Sequence, residues 1–154
     1  RLVRSARTDG REDAPKFKPL GISRRSLEIV REGMNQVTNT HGGTAYQSRI
    51  SEEGMKMSGK TGTAQVRRIS RAERDTRVLK NHERRWRERD HALFVGYAPS
   101  DDPRYAVAVV VEHGGGGSKV AAPIARDILL GALQLDPLSH TTAGRAAPDQ
   151  PDKA

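Results

Sequence analysis

Apolar positions concentrate in three stretches, Ala92–Ala98, Tyr105–Val111 and Val120–Leu135. Ala92–Ala98 and Tyr105–Glu112 read as strands, and the short polar link Pro99-Ser100-Asp101-Asp102-Pro103 makes them an antiparallel hairpin. The third stretch reads as a helix from about Ser118 to Leu135. Val120, Ile124 and Ile128 form one row, with Ala121, Ala125 and Leu129 beside it. Pro123 costs a hydrogen bond outside the first turn, which moves the expected start later than Ser118. Upstream, Leu27, Val30, Met34 and Val37 recur at helical spacing behind a candidate N-cap, Ser23. Ile22 is placed to staple onto Leu27, and Asn39-Thr40-His41-Gly42-Gly43 ends the helix. Thr44–Ile50 is ambiguous, with a short helical turn as one reading. Met55–Ile69 is strand-like, carrying Thr61, Thr63, Val66 and Ile69. Residues 1–21 read as an extended piece and a polar loop broken at Pro15 and Pro19. The Ala-, Pro-, Thr- and Asp-rich residues 136–154 read as a disordered tail. The order helix, strand, long insertion, strand, strand, helix is an α+β pattern, an antiparallel sheet with packed helices.

Composition changes this picture in one respect. With 34% hydrophobic and 4% aromatic residues in 154, the core elements are few for an independent domain of this length, so a piece of a larger unit is expected. The net charge of +8 points to an anionic partner such as nucleic acid, a lipid surface or an anionic polymer. Most of it lies between Val66 and Asp90, where ten basic residues face five acidic ones. The plain reading of residues 67–90 is a solvated surface insertion, partly helical, with Trp86 as its one large anchor. There is no cysteine, which removes disulfide and thiolate chemistry. No apolar run reaches the length of a membrane span, so any anchor or export signal is expected upstream of Arg1.

Two motifs compete for the same residues. Gly54-Met55-Lys56-Met57-Ser58-Gly59-Lys60-Thr61 matches the phosphate-cradling pattern G-x-x-x-x-G-K-[ST]. That motif needs a buried strand before the loop and a helix opening at the Lys. Ile50-Ser51-Glu52-Glu53 is no such strand, and Gly62-Thr63-Ala64-Gln65-Val66 is a poor helix start. Nucleotide binding stays as an alternative, and a basic nucleic-acid-binding module built on residues 67–89 is another. The second lacks aromatic interleaving and any zinc, helix-turn-helix or RNA-recognition signature. The competing motif is Lys60-Thr61-Gly62, which accompanies S-x-x-K and S-D-N in penicillin-recognising enzymes.

The residues around it extend the likeness. Gly43-Thr44-Ala45, Ser58-Gly59-Lys60-Thr61-Gly62-Thr63-Ala64-Gln65-Val66, Ala98-Pro99, and Gly114–Gly117 leading into Ala121-Ala122-Pro123 resemble the C-terminal half of a class B penicillin-binding protein transpeptidase domain. The charged stretch ending in Arg89-Asp90-His91 is similar to the cell-elongation branch, the penicillin-binding protein 2 type. The likeness spans roughly residues 1–135.

This resemblance implies a peptidoglycan D,D-transpeptidase working through a serine acyl-enzyme. Its implied substrate is the D-Ala-D-Ala end of a stem peptide, and β-lactams acylate the same serine. Lys60 is implied as the cationic wall of the cleft, with Thr61 and Thr63 as hydroxyl donors to the terminal carboxylate. Gly62 is implied as the point of close backbone approach, and the Thr63 N–H as half of the oxyanion hole. No serine is followed by Lys three residues on, and no Ser-x-Asn occurs. The nucleophile is therefore expected in sequence N-terminal to this piece, behind an inner-membrane anchor, with the catalytic domain in the periplasm. The resemblance implies no cofactor, no metal and no nucleic acid, and proteins of the cell-elongation machinery as candidate partners. His41, His82, His91, His113 and His140 lack metal-ligand spacing and read as surface or hydrogen-bonded histidines. His113 alone stands at a strand end where a cleft could border it. Gly114–Gly117 reads first as a flexible loop that folds the last helix back, and second as an anion site at a helix start.

Overall fold

A computed structural model of the chain describes residue 19 and residues 21–136. The expected N-terminal loop and C-terminal tail lie largely outside these residues. Helix α1 spans Arg24–Asn39 and starts as the sequence suggests, with Ser23 Oγ accepting from the Ser26 N–H at 3.1 Å. A single 3₁₀ turn, Tyr46–Ser48, resolves the ambiguous stretch. Strand β1 is Ser58–Ala64, shorter at both ends than the strand-like region suggests. Helix α2, Arg71–Thr76, and two 3₁₀ turns at 81–83 and 86–88 make up the insertion. Strands β2, His91–Ala98, and β3, Tyr105–Val111, follow, then helix α3, Ala121–Gln134. Pro123 sits in the first turn of α3, which is why that helix starts at Ala121 and not Ser118.

The three strands form one antiparallel sheet in the order β1-β2-β3. Register runs from Ser58↔Tyr97 to Ala64↔His91 on one side of β2, and from Ala92↔Val111 to Ala98↔Tyr105 on the other. Alternation along β2 buries Ala92, Phe94, Gly96 and Ala98. Phe94, fully buried, is the largest of them. Gly59 and Gly96 leave room for its ring, since a Cβ on either would come within 2.7 Å of Phe94 Cε1. Ala121, Ala122, Ala125, Leu129 and Leu133 of α3 complete the core with Ala45, Ile50 and Met57. The row Ala121-Ala125-Leu129 is therefore the buried one. Ile124 and Ile128, which the sequence places in a neighbouring row, stand 41% and 51% exposed. On α1 the expected apolar face is likewise open at Leu27 and Val30, and α1 is held at its C-terminal end instead. There the buried Thr38 Oγ1 donates to the Met57 carbonyl at 2.6 Å and Asn39 Nδ2 to the same oxygen at 2.9 Å.

The insertion is ordered by its own charges. Arg67 forks onto Glu73, with one arm at 2.8 Å. Arg77 Nη2 meets Glu83 at 2.8 Å. Arg84, the one buried residue between 67 and 90, donates to both oxygens of Asp90 at 3.1 Å and to the Leu79 carbonyl at 3.0 Å. Trp86 does act as an anchor, but from the surface. It is 56% exposed and packs one side on the His113 ring, 4.4 Å between centroids.

Two expectations follow from this packing. Phe94→Ala should cost about 3–5 kcal/mol in denaturant unfolding, whereas Val95→Ala, on the open face of β2, should cost less than a third of that. The hydrogen bond from Arg67 holds the Glu73 carboxyl below its usual range. The Lys80 backbone N–H, and then Arg77, do the same for Glu83. A carboxylate depressed in the folded state stabilises it above the unfolded pKa and loses that effect as pH falls through the folded one. Hydrogen-exchange protection of residues 67–83 should therefore fall as pH drops below about 4.3, the ordinary glutamate value. Glu73→Gln should be less protected at neutral pH and show a smaller acid-induced loss.

Candidate active-site wall

The sheet order leaves β1 paired on one side only among the described residues. In an antiparallel ladder, alternate residues turn their N–H and C=O towards the partner strand and away from it. Part of the β1 backbone is therefore open to an extended ligand that adds as a further strand. The motif residues sit in the middle of this strand: Lys60↔Val95, Thr61↔Phe94, Gly62↔Leu93 and Thr63↔Ala92.

The start of β1 and the far ends of β2 and β3 are tied down. The buried Ser58 Oγ donates to Ser100 Oγ at 2.8 Å, and Ser100 Oγ donates to the Lys56 carbonyl at 2.9 Å. The Ser100 N–H reaches that same carbonyl at 2.7 Å. This binds the start of β1 to the β2–β3 connection. At the other end, His113 occupies a positive-φ position (φ 55°) after β3. Its backbone N–H donates to His91 Nδ1 at 2.8 Å, and its Nδ1 donates to the Arg89 carbonyl at 2.9 Å. His113 thus closes the strand ends and does not stand alone in a cleft. Among the described residues no group of three His, Asp or Glu is placed to hold a metal ion.

Lys60 and Thr63 are exposed, and Thr61 and Gly62 are half-buried. The Lys60 ammonium folds back to donate to the Thr61 carbonyl at 2.8 Å. The Thr61 hydroxyl lies 3.1 Å from the hydroxyl of Thr44. Nothing local to Gly43-Thr44-Ala45 gives Thr44 a role; the fold brings it to the site. Gly43 makes the approach possible. A Cβ there would come within 2.8 Å of the Val37 carbonyl carbon, and the next residue but one, Ala45, donates its N–H to the Val37 oxygen at 3.0 Å. The loop therefore lies directly on the end of α1 and delivers Thr44 beside Thr61.

The phosphate-loop alternative fails on this geometry. Lys60 and Thr61 lie inside a strand, not at a helix N-terminus, so no row of helical N–H groups faces a phosphate there. The nucleic-acid alternative is weakened by the ion pairs of the insertion, which occupy Arg67, Arg77 and Arg84.

Comparison with known proteins agrees with the geometry. Residues 1–130 match the model of the penicillin binding protein transpeptidase domain, and the chain belongs to that family. Within it the likeness is to the penicillin-binding protein 2, or MrdA, branch. The chain is 38% identical to peptidoglycan D,D-transpeptidase MrdA of Haemophilus influenzae over 66% of its length, and 33% identical to that of Escherichia coli K12 over 96%. A crystal structure of Pseudomonas aeruginosa PBP2 in complex with WCK 5153 superposes with a TM-score of 0.57 at 35% identity over 82% of the chain. The PBP2 of Helicobacter pylori in complex with MreC gives 0.56 at 31% identity over 72%. The chain spans 15% and 24% of the lengths of the two curated relatives, and 24% and 18% of the two solved chains.

The contact at Gly43 makes a prediction with opposite signs at two glycines. Gly33→Ala, mid-helix with open space around its Cβ, should stabilise by up to about 1 kcal/mol. Gly43→Ala, which pushes on the Val37 carbonyl, should lower the melting temperature, and thermal unfolding of the two variants side by side reads the difference.

Proposed function

We propose that this chain forms the Lys60-Thr61-Gly62 wall of a peptidoglycan D,D-transpeptidase and that the nucleophilic serine lies elsewhere in the full-length protein. The observation that carries this reading is the motif's place on the open edge of β1, with the Thr61 and Thr44 hydroxyls in contact. The acyl donor is the D-Ala-D-Ala end of a stem peptide, lying along β1 as an added strand. Lys60 supplies positive charge at the point where the serine attacks and favours proton transfer there. Thr61 and Thr63 hold the terminal carboxylate through their hydroxyls, and Thr44 fixes the rotamer of Thr61. Gly62 lets the substrate backbone come close. The Thr63 N–H donates to the oxygen that becomes negative in the tetrahedral intermediate, where a fixed donor counts for most. β-Lactams enter by the same route and leave the serine acylated.

The setting follows the same branch. Partners from the cell-elongation machinery are supported by the complex of the Helicobacter pylori PBP2 with MreC. We place the catalytic domain in the periplasm and its membrane anchor outside the residues described. No described helix is long and apolar enough to cross a membrane. Residues 1–135 are then transpeptidase domain with residues 67–90 inserted, and residues 136–154 a tail.

A labelled penicillin tests this directly. The full-length protein should form a stable covalent adduct and the isolated chain none. Mapping of the label to any serine of this chain sinks the assignment. In the full-length protein, Thr61→Val should weaken capture of a carboxylate-bearing substrate by about 1.5–3 kcal/mol, the worth of a hydrogen bond to a charged group. Lys60→Ala should slow acylation by at least the roughly hundredfold typical of a lost proton-transfer group.

A further inference from the structure

The four glycines at 114–117 suggest a flexible hinge, yet the structure packs this loop tightly at three of them, Gly114 against the neighbouring Val111 and Gly115 and Gly117 against segments distant in the chain. Gly117 is buried, and its α-carbon faces the backbone of the Gly62↔Leu93 pair. A Cβ on Gly117 would stand 2.9 Å from the Gly62 nitrogen and closer still to the carbonyl oxygens of Gly62 and Leu93. These are ladder atoms, which cannot swing aside as a side-chain tip would.

The loop is pinned on both flanks. Before Gly117, Gly115 adopts φ 93°, and its N–H donates to the Asp90 carbonyl at 2.8 Å. A Cβ on Gly115 would come within 2.6 Å of Asn81 Nδ2. Asn81 Oδ1 in turn accepts from the Asp90 N–H at 3.0 Å. Asn81 therefore clamps Gly115 and Asp90 from the insertion side. After Gly117, its own carbonyl accepts from the Ala122 N–H at 2.8 Å, at the start of α3.

From this geometry we infer that Gly117 is a positioning residue for acyl transfer: it sets the peptide plane between Gly62 and Thr63. The Gly62 carbonyl and the Thr63 N–H belong to one planar trans unit and point in opposite directions. A contact that fixes the oxygen on the Gly117 side fixes the N–H on the other. Pressure on the Gly62 oxygen rotates the Thr63 donor away from its target. Asn81 is the second positioning residue, acting through Gly115, and it links the charged insertion to the reactive wall. The inference rests on the transpeptidase reading, because only there does the Thr63 N–H have a developing charge to meet.

The test uses the full-length protein and a labelled penicillin, separating the dissociation constant of the initial complex from the rate of acylation. Gly117→Ala should slow acylation roughly ten- to hundredfold, the scale of a sub-ångström to 1 Å misplacement at a reacting centre. The dissociation constant should stay at the wild-type value, a split that a general loss of structure does not give. Asn81→Ala, which adds no atom, should slow the same step by a smaller factor. Gly116→Ala, where a Cβ meets nothing within 4 Å, should react as wild type. A folded Gly117→Ala protein that acylates at the wild-type rate overturns the inference. If Gly117→Ala does not fold, an Asn81→Ala protein at the wild-type rate overturns it equally. A wild-type protein that never reacts overturns the transpeptidase reading itself, which separates the two failures.

Discussion

Antiparallel pairing of β1 with β2, from Ser58↔Tyr97 to Ala64↔His91, is the constraint on which the rest of this chain depends. It places Lys60, Thr61, Gly62 and Thr63 in one line and holds their backbone to a rigid ladder. It also turns the far edge of that line outwards. A motif that recognises an extended peptide needs both properties, since a mobile strand could not aim a donor and a doubly paired strand could not accept a guest.

Everything around β1 serves that ladder. Phe94 fills the space left by Gly59 and Gly96 and brings β2 down onto the small alanine face of α3. Thr38 and Asn39 fasten the end of α1 to the Met57 carbonyl just before the strand. Ser100 fastens its start from the hairpin side. The insertion, despite its excess of positive charge, is held by carboxylates of its own, among them the half-buried Asp90 that pairs with the buried Arg84. Breaking such a pair by removing one partner typically costs about 3–5 kcal/mol, enough to loosen the segment.

The open apolar surfaces fit a chain that spans a quarter or less of the length of the MrdA relatives it matches. Ile29 and Val30 on α1, Ile124 and Ile128 on α3, and Val95 and Val110 on the sheet are all exposed. A helix with apolar residues on more than one face belongs to the interior of something larger.

The sequence alone determined the local elements and the motif's place on a strand. Ser23 as a cap, Pro123 in a first turn, and the hairpin around Pro99–Pro103 are short-range choices, and short-range physics settles them. Lys60-Thr61-Gly62 was legible for the same reason: its residue types and their strand spacing are local. Which apolar row of α3 would be buried was not legible, because Ile and Ala rows are equally periodic and only the sheet beneath selects the smaller one. Thr44 meeting Thr61 across 17 residues was not legible either. Nor was the contact of Gly117 with Gly62, which inverted the meaning of a glycine run from flexible hinge to close-packed support. Those contacts join segments distant in the chain, and only the tertiary structure, by bringing backbone against backbone, decided which glycines face open space and which abut another strand.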